Sequence, residues 1–158
     1  MKMQSYEFDL AIKALENIVL PEAIRRLGIE YKTSLDAPNT YKALKLHREN
    51  SGHFLIYSGD CSNTIYSSAD YNIMFRAWHD FVHYHYGFTF KAYDEVRTAL
   101  VQIDFARSIL ETYCLSERLI ECVVLVLQAD IIGQVQYYTK TGQFVSNQRQ
   151  FVTEMIVE

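Results

Sequence analysis

The sequence predicts a mainly α-helical protein with a small β element (α+β minor), and three observations lead to this fold class. Apolar residues recur at helical spacing through three long stretches between residues 68 and 141. The chain has only two prolines and six glycines, most of which mark boundaries between these stretches. A chain of 158 residues can bury one sizeable core, so residues 1–158 are expected to form a single domain.

The N-terminal residues predict two helices in succession. Ser5 or Asp9 can begin the first helix, which is expected to end near Leu20. Pro21 suits the first turn of a second, short helix because its missing N–H is not needed there. Gly28 follows the last apolar position and is expected to end that helix.

The next stretch predicts one more short helix and then the β element. In "DAPNTYKALKLHREN", Asn39 or Thr40 can serve as the helix cap. The segments "HFLIYSG" and "NTIYS" are short, β-branched and aromatic, and "SGDCS" separates them. They are interpreted as two short strands or extended segments.

The remaining residues predict three long helices and a short C-terminal one that begins at Ser146. The expected bounds of the long helices are Ser68 or Asp70 to about Tyr86, Lys91 to Tyr113 after a Thr89 cap, and Ser116 to about Thr141. Gly87 and Gly142 are the expected stops. Short connections should make the long helices pack antiparallel as a compact bundle, with the short N-terminal helices and the β element over one side or end.

Composition and charge exclude several classes of protein. The formal net charge is −4 and no block of Lys or Arg occurs, so a nucleic-acid-binding role is not expected. Charged residues interrupt the N-terminal stretch, which is therefore not a signal peptide. The longest apolar run, "LIECVVLVLQADIIG", is too short and too polar for a membrane span. Three cysteines without CxxC spacing indicate reduced thiols and a cytoplasmic location.

The segment "FRAWHDFVHYHYG" carries three of the five histidines of the chain. On a helix, Asn72, Arg76, His79 and His83 fall on one face, so a continuous polar stripe is expected. Histidines four residues apart place two imidazoles one turn apart, which is the spacing of helical zinc and iron sites. Asp80 lies at the margin of this stripe as a general base, a ligand or a partner of a ligand.

The two other long helices offer polar side chains that could complete a site. Glu95 and Gln102 share a face of the second helix, and Asp130 and Gln134 lie in the otherwise apolar third helix. An ionised Asp in an apolar helix needs a partner, a metal ion or water. We therefore expect a shared interior site for a divalent metal ion (zinc, iron or manganese), with His79 as one of its ligands. His83, Glu95 and Asp130 are the other expected ligands.

A structural interpretation of the same residues stays open. A solvent-exposed helix face would explain the stripe without any chemistry, and acidic residues such as Glu95 are favoured in the first turn of any helix. A buried Asp130 could serve Arg76 or a tyrosine hydroxyl as a structural partner. The histidines and carboxylates would then form a buried polar network that fixes the helix register.

Two known signatures match only in part. His79–Asp80 is an HD doublet, and in the HD-domain phosphohydrolases an earlier His, the HD pair and a later Asp hold metal. His47 could be the earlier His and Asp130 or Asp104 the later Asp, but an expected strand pair intervenes and "FRAWHD" replaces the usual apolar lead-in. The zinc-protease motif HExxH needs a Glu where Asp80 stands, so that motif is absent.

A further pattern combines Asn72, "FRAWHDFVH", Phe90 with Glu95, a Gly–Gln pair at residues 133–134 and the ending "FVSNQRQFV". In these positions the last hundred residues resemble a group of small phage and prophage proteins. The resemblance implies a phage-encoded protein in the host cytoplasm. It implies no activity.

The leading functional hypothesis is a metal-dependent hydrolase that acts on a small or anionic substrate. Asp80 or Glu95 would be the general base, and Arg76 would hold an anionic group such as a phosphate or carboxylate. The alternative is a non-catalytic phage-encoded binding protein that docks on a host protein or sequesters a ligand. Twelve tyrosines suit either a half-polar cleft or an interface, so a homo-oligomer stays open.

Overall fold

The computed structural model describes all residues from 1 to 158, and the fold is mainly α-helical with a two-stranded sheet, as predicted. In chain order the elements are α1 (Ser5–Ala14), a π-helical segment (Leu15–Val19), α2 (Leu20–Leu27), β1 (Tyr31–Ser34), α3 (Tyr41–Ser51), β2 (Phe54–Tyr57), α4 (Ala69–Tyr86), α5 (Ala92–Thr112), α6 (Glu117–Leu127), a second π-helical segment (Gln128–Gly133), α7 (Gln134–Thr141) and α8 (Gln148–Ile156).

The first two predicted helices are one continuous helical rod. The N–H of Leu20 donates to the carbonyl of Leu15, five residues back, which is the widened π-helical register. Pro21 therefore lies inside the rod, at the start of α2, and does not end it. The predicted break near Leu20 was wrong because the π-helical turn accommodates the missing N–H of the proline. Gly28 ends the rod in the left-handed conformation, φ +60°, as predicted.

The β element is a parallel pair in which Tyr31 lies opposite Phe54 and Ser34 opposite Tyr57. Helix α3 forms the crossover that parallel strands require. The strand predicted in "HFLIYSG" is confirmed as β2, whereas "NTIYS" forms bends and its partner role belongs to β1. The sequence "YKTS" of β1 carries only a weak strand signal, since Tyr31 and Thr33 favour strands but Lys32 and Ser34 do not.

The three long predicted helices are confirmed as α4, α5 and a continuous rod from α6 through α7. Ser68 and Ser116 cap α4 and α6 by accepting the backbone N–H of Tyr71 and Leu119. The Thr89 cap was wrong: Lys91 is the residue before α5, and both the N–H and the hydroxyl of Thr89 donate to Asp94 instead. This bond still fixes the turn between α4 and α5 tightly.

The core is a single cluster to which every long helix contributes. Trp78 of α4, Leu110 of α5, and Val123 and Leu127 of α6 are all fully buried in it. Helix α1 packs along α6, so the N-terminal rod covers one side of the bundle. Since the apolar cluster leaves few polar groups inside, those that are buried need a physical reason. Five of them lie on the long helices: Asn72, His83, Thr98, Gln102 and Asp130.

The rod from Glu117 to Thr141 is 25 residues long and apolar enough that, by length and composition alone, it could cross a membrane. This rod is longer than the apolar run "LIECVVLVLQADIIG", which was judged too short to span a membrane. Half of its most apolar stretch is buried within the bundle. This burial is consistent with a soluble protein, in which the same rod is the central core helix.

Candidate metal centre

Three side chains converge between α4 and α5 with their donor atoms almost in contact. The Nε2 atoms of His79 and His83 lie 3.1 Å apart. One oxygen of Glu95, Oε2, lies 3.0 Å from Nε2 of His79 and 3.2 Å from Nε2 of His83. These residues form a group that could hold a metal ion. Three of the residues predicted to form a site, His79, His83 and Glu95, therefore lie together in the structure.

Local structure explains why the cluster forms. His79 and His83 are one turn apart on α4, and the left-handed Gly87 ends that helix. The short connection then turns α5 back along α4, so that Glu95 in the first turn of α5 meets the second histidine of α4. The ring of His79 stacks on Phe75, with centroids 5.8 Å apart, which fixes its plane.

The far nitrogen of each imidazole is also held. Nδ1 of His83 lies 2.9 Å from the carbonyl oxygen of Phe88, which can only accept, so this nitrogen carries the proton. Nδ1 of His79 lies 2.7 Å from Oε1 of Gln102. When each imidazole is neutral and carries its proton on Nδ1, the lone pair of its Nε2 faces Glu95. Metal-binding histidines in proteins are oriented by bonds of this kind.

The spacing of the three donors suits a metal ion of small radius. In a tetrahedral site with bonds of about 2.0–2.1 Å, neighbouring ligand atoms are roughly 3.3–3.4 Å apart. The observed separations of 3.0 to 3.2 Å lie slightly below this range. An ion would therefore need the three side chains to separate by only a few tenths of an ångström, which is a small rotamer adjustment.

The charges of the cluster are coupled. Burial alone would lower the pKa of His79, but its hydrogen bond to Glu95 and the charge of that carboxylate raise it to about 9. Burial alone would raise the pKa of Glu95, but the bonds from His79 and His83 lower it to about 2. The site thus favours a positive charge beside Glu95 at neutral pH.

The cluster borders an inner cavity of about 190 Å³, which leaves space for a fourth ligand beside the three donor atoms. His79 and Glu95 line one wall, and Asp130 with Gln134 lines another. Asp130 is buried, and it accepts one hydrogen bond, 2.8 Å long, from Gln134 Nε2. Burial raises the pKa of Asp130 to about 7. The predicted ligand Asp130 thus faces the cavity but does not join the three donors that lie within 4.8 Å of one another.

Arg76 also lines the inner cavity, but its guanidinium is engaged by the loop after β2. It donates to the carbonyls of Tyr57 and Gly59, at 2.7 and 2.6 Å, and to that of Asp60 at 3.1 Å. It further contacts the sulfur of Cys61 at 3.4 Å. These contacts favour a role in fixing the loop over the predicted role in holding an anion.

Asp80 lies next to the cluster without lining the cavity. Its side chain is half-buried and makes no hydrogen bond to another residue. Burial raises its pKa to about 6, although the neighbouring His79 and His83 oppose the shift. The geometry leaves Asp130, rather than Asp80, as the carboxylate that faces the open side of the cluster.

The other histidines lie elsewhere. His85 is exposed and stacks on Phe81. His47 and His53 pack edge to face, with ring centroids 5.2 Å apart, beside the β element. The early histidine of the HD pattern, His47, is therefore not part of the cluster.

One feature of the site, the carbonyl of Phe88, has no signal in the sequence because a main-chain group has no residue signature. Gln102 was placed on the correct face of its helix, but not as the partner of His79. Gln102 interrupts the apolar face that Ala99, Ile103 and Ala106 form on α5, and this signal could have identified it, since fully buried amides usually serve a specific partner.

Comparison with known proteins found no relative of this chain: no family model, no curated protein and no solved structure matches it. The functional conclusion therefore depends on the geometry of the site.

Proposed function

We propose that this protein is a divalent-metal-dependent hydrolase whose ion is held by His79, His83 and Glu95. The observation that supports the proposal is the triangle of three donor atoms, 3.0 to 3.2 Å apart. A cavity beside this triangle leaves room for a fourth ligand of the ion. Catalytic zinc sites of the two-histidine, one-carboxylate type keep such an open position for water or substrate, whereas structural sites are closed by a fourth ligand.

The donor set narrows the choice of metal. Two imidazoles and one carboxylate suit zinc, iron(II) and manganese, and no thiolate lies in the cluster. When bound, such an ion lowers the pKa of water in its open position toward neutrality. The remaining steps would fall to side chains of this chain.

Asp130 is the group that would hold the proton removed from that water. It lines the same cavity as His79 and Glu95, and Gln134 occupies only one of its two oxygens. Burial brings its pKa to about 7, which is the range in which a general base is effective at neutral pH. Asp80 stays the alternative base, although it does not line the cavity.

A second candidate function has its own observation. Without a metal ion, a protonated His79 already donates to Glu95 and to Oε1 of Gln102, so both of its ring nitrogens are hydrogen-bonded. Such a network would tie α4 to α5 and fix the helix register. The protein would then be a non-catalytic binding protein, phage-encoded as the sequence resemblance implies, with a host protein as partner rather than a small-molecule substrate.

Metal content separates the two candidates. Protein purified without an affinity tag that binds nickel should contain about one divalent ion per chain by elemental analysis. His79→Ala and His83→Ala should each lose the ion, while His85→Ala, on the exposed face of the same helix, should keep it. Wild-type protein that contains no metal and gains none on dialysis against zinc, iron(II) or manganese would exclude the hydrolase and leave the binding protein.

A further inference from the structure

A second, larger cleft of about 620 Å³ lies beside the inner cavity. The two share Arg76, Gln134 and Gln148 as lining residues, so they meet along one common wall. A cleft of this size is in the range of small-molecule sites, roughly 300–1,000 Å³. A ligand that fills it could therefore extend a group toward the cavity that His79 and Glu95 line.

The only cation in the lining is not free to bind an anion. Arg76 is the sole Lys or Arg there, and both terminal nitrogens of its guanidinium are used by the carbonyls of the loop. Sites for phosphate or carboxylate groups normally present an open, paired guanidinium face. Asp60, also in the lining, balances the charge of Arg76, so the cleft as a whole offers no positive field.

The helix that begins at the cleft does not supply an anion site either. Helix α8 starts at Gln148, and free backbone amides at a helix start would attract a phosphate. Here the N–H of Arg149 donates to the carbonyl of Asn63 at 3.1 Å. The N–H of Gln150 donates to the side chain of Asn147 at 3.0 Å. Two of the three amides of the first turn, those of Arg149 and Gln150, are thus already paired.

The groups that are free in the cleft are neutral and both donate and accept. The side chains of Ser62, Asn63, Ser146 and Gln148 line it, and none is hydrogen-bonded to another group of the protein. Hydroxyl and amide groups of this kind are complementary to a ligand that also carries donors and acceptors on neighbouring atoms. Vicinal hydroxyls have that property, and a phosphate, which only accepts, lacks it.

One acceptor in the cleft is held in a fixed position. Asp60 has a left-handed backbone, φ +54°, which is uncommon for a residue other than glycine. Arg76 stabilises this conformation by binding the carbonyls of Gly59 and Asp60 itself. Its Oδ2 already accepts from the hydroxyl of Tyr57 at 3.5 Å. Its Oδ1 can accept from a hydroxyl group of a ligand, and the carboxylate would repel an anion.

Two aromatic rings complete the lining. Phe144 is 83% exposed and Tyr57 is 40% exposed, although such large side chains are usually covered. An exposed ring beside polar side chains suits ligands with one flat apolar face and a polar edge. Sugar rings and nucleobases both have that shape.

We infer that this cleft binds a neutral, polyhydroxylated ligand, a saccharide or a nucleoside, and directs it toward the metal cluster. The inference rests on the proposed function only for the chemistry after binding, since the cleft itself contains none of His79, His83 or Glu95. The neutral ligand replaces the anionic substrate that Arg76 suggested in the sequence.

The test is a binding titration by NMR on the metal-free full-length chain. The probes are glucose, diacetylchitobiose, adenosine and uridine, together with glucose 6-phosphate and adenosine 5′-monophosphate as the charged counterparts of glucose and adenosine. We expect saturable shifts of cleft amides at millimolar concentration for at least one neutral probe, with its phosphorylated counterpart weaker. The class of probe that binds, saccharide or nucleoside, identifies the chemical class of the ligand.

Matched variants localise the binding. Phe144→Ala and Asp60→Asn should each weaken it by about tenfold, since one removes an exposed ring and the other a carboxylate that Asn replaces without changing the backbone. Tyr6→Ala removes a similarly exposed ring on α1, away from the cleft, and should leave it unchanged. No shift with any neutral probe, or tighter binding of the phosphorylated probes, would overturn the inference.

The two proposals fail in different measurements. A chain that binds a neutral probe but no metal would contradict the hydrolase and keep the cleft as a ligand site. A chain that binds metal at His79 and His83 but none of the neutral probes would contradict the cleft inference alone.

Discussion

Nε2 of His79 faces Nε2 of His83 at 3.1 Å, while the opposite nitrogen of each ring is anchored on an acceptor. Two neutral imidazoles in this orientation point two lone pairs at each other, which is unfavourable unless a positive charge lies between them. That charge can be a proton or a metal ion. The site should therefore bind the two in competition, with Glu95 as the shared counter-charge.

Metal affinity should consequently rise with pH. The pKa of His79 is raised to about 9, so the metal-free site keeps a proton at pH 6 to 8 that an entering ion must displace. Release of one proton corresponds to about a tenfold gain in affinity for each pH unit. Calorimetric titration with zinc in two buffers of different ionisation enthalpy should show this proton. An affinity that is constant over the same range would contradict the competition.

We expect the side chain of Gln102 to contribute to metal affinity and to contribute little to the stability of the folded protein. Its Oε1 orients His79, whereas its Nε2 is buried without a partner. Gln102→Leu removes both the orienting bond and the unsatisfied amide, so we expect metal affinity to fall about 10- to 100-fold with the melting temperature of the metal-free protein kept or raised. Gln128→Leu, on the exposed side of the third long helix, is the control. Equal metal affinity in both variants would exclude an orienting role for Gln102.

Arg76 should be irreplaceable by Lys. Its planar guanidinium reaches three consecutive or near-consecutive carbonyls of the loop, a pattern that a single ammonium group cannot reproduce. We expect Arg76→Lys to lower the free energy of unfolding by about 1–3 kcal/mol and to speed amide hydrogen exchange in residues 57–61. Arg107→Lys, in an exposed pair with Glu117, should change neither. Unchanged exchange in that loop would show that Arg76 does not hold it.

The long helices could be predicted from sequence because local signals determine them. Ser68 and Ser116 cap two of them, and Gly87 and Gly142 end two of them, each through a bond or a backbone angle set within a few residues. The same helical geometry brought His79 and His83 to one face. Glu95 could be added because a short connection forces two helices to run antiparallel.

The features that escaped prediction depend on contacts between distant residues. The pairing of β1 with β2 is set by tertiary position, since "YKTS" has little strand preference of its own. The two π-helical segments need a surrounding fold that tolerates an extra residue per turn. The capture of Arg76 by the loop of residues 57–61 likewise involves carbonyl groups, which no residue pattern reveals.

Asp130 should make the stability of the metal-free protein depend on pH. Burial raises its pKa from 3.8 to about 7, so between these values the unfolded chain loses the proton while the folded chain keeps it. The contribution of Asp130 to the free energy of unfolding therefore decreases as the pH rises from about 4 to 7 and changes no further above that range. The full loss is up to about 4 kcal/mol.

Asp130→Asn removes this titration while keeping an acceptor for Gln134. The variant should match the wild type near pH 4, exceed it increasingly up to about pH 7 and keep a constant advantage above that, in denaturant unfolding carried out with a chelator. The chelator is needed because a bound ion would itself lower the pKa of a nearby carboxyl. Asp104→Asn, at an exposed position of α5, should show no such trend. An Asp130→Asn variant that is less stable than the wild type at pH 8 would mean that a charge partner stabilises the ionised Asp130 in the folded protein, so that its pKa is not raised.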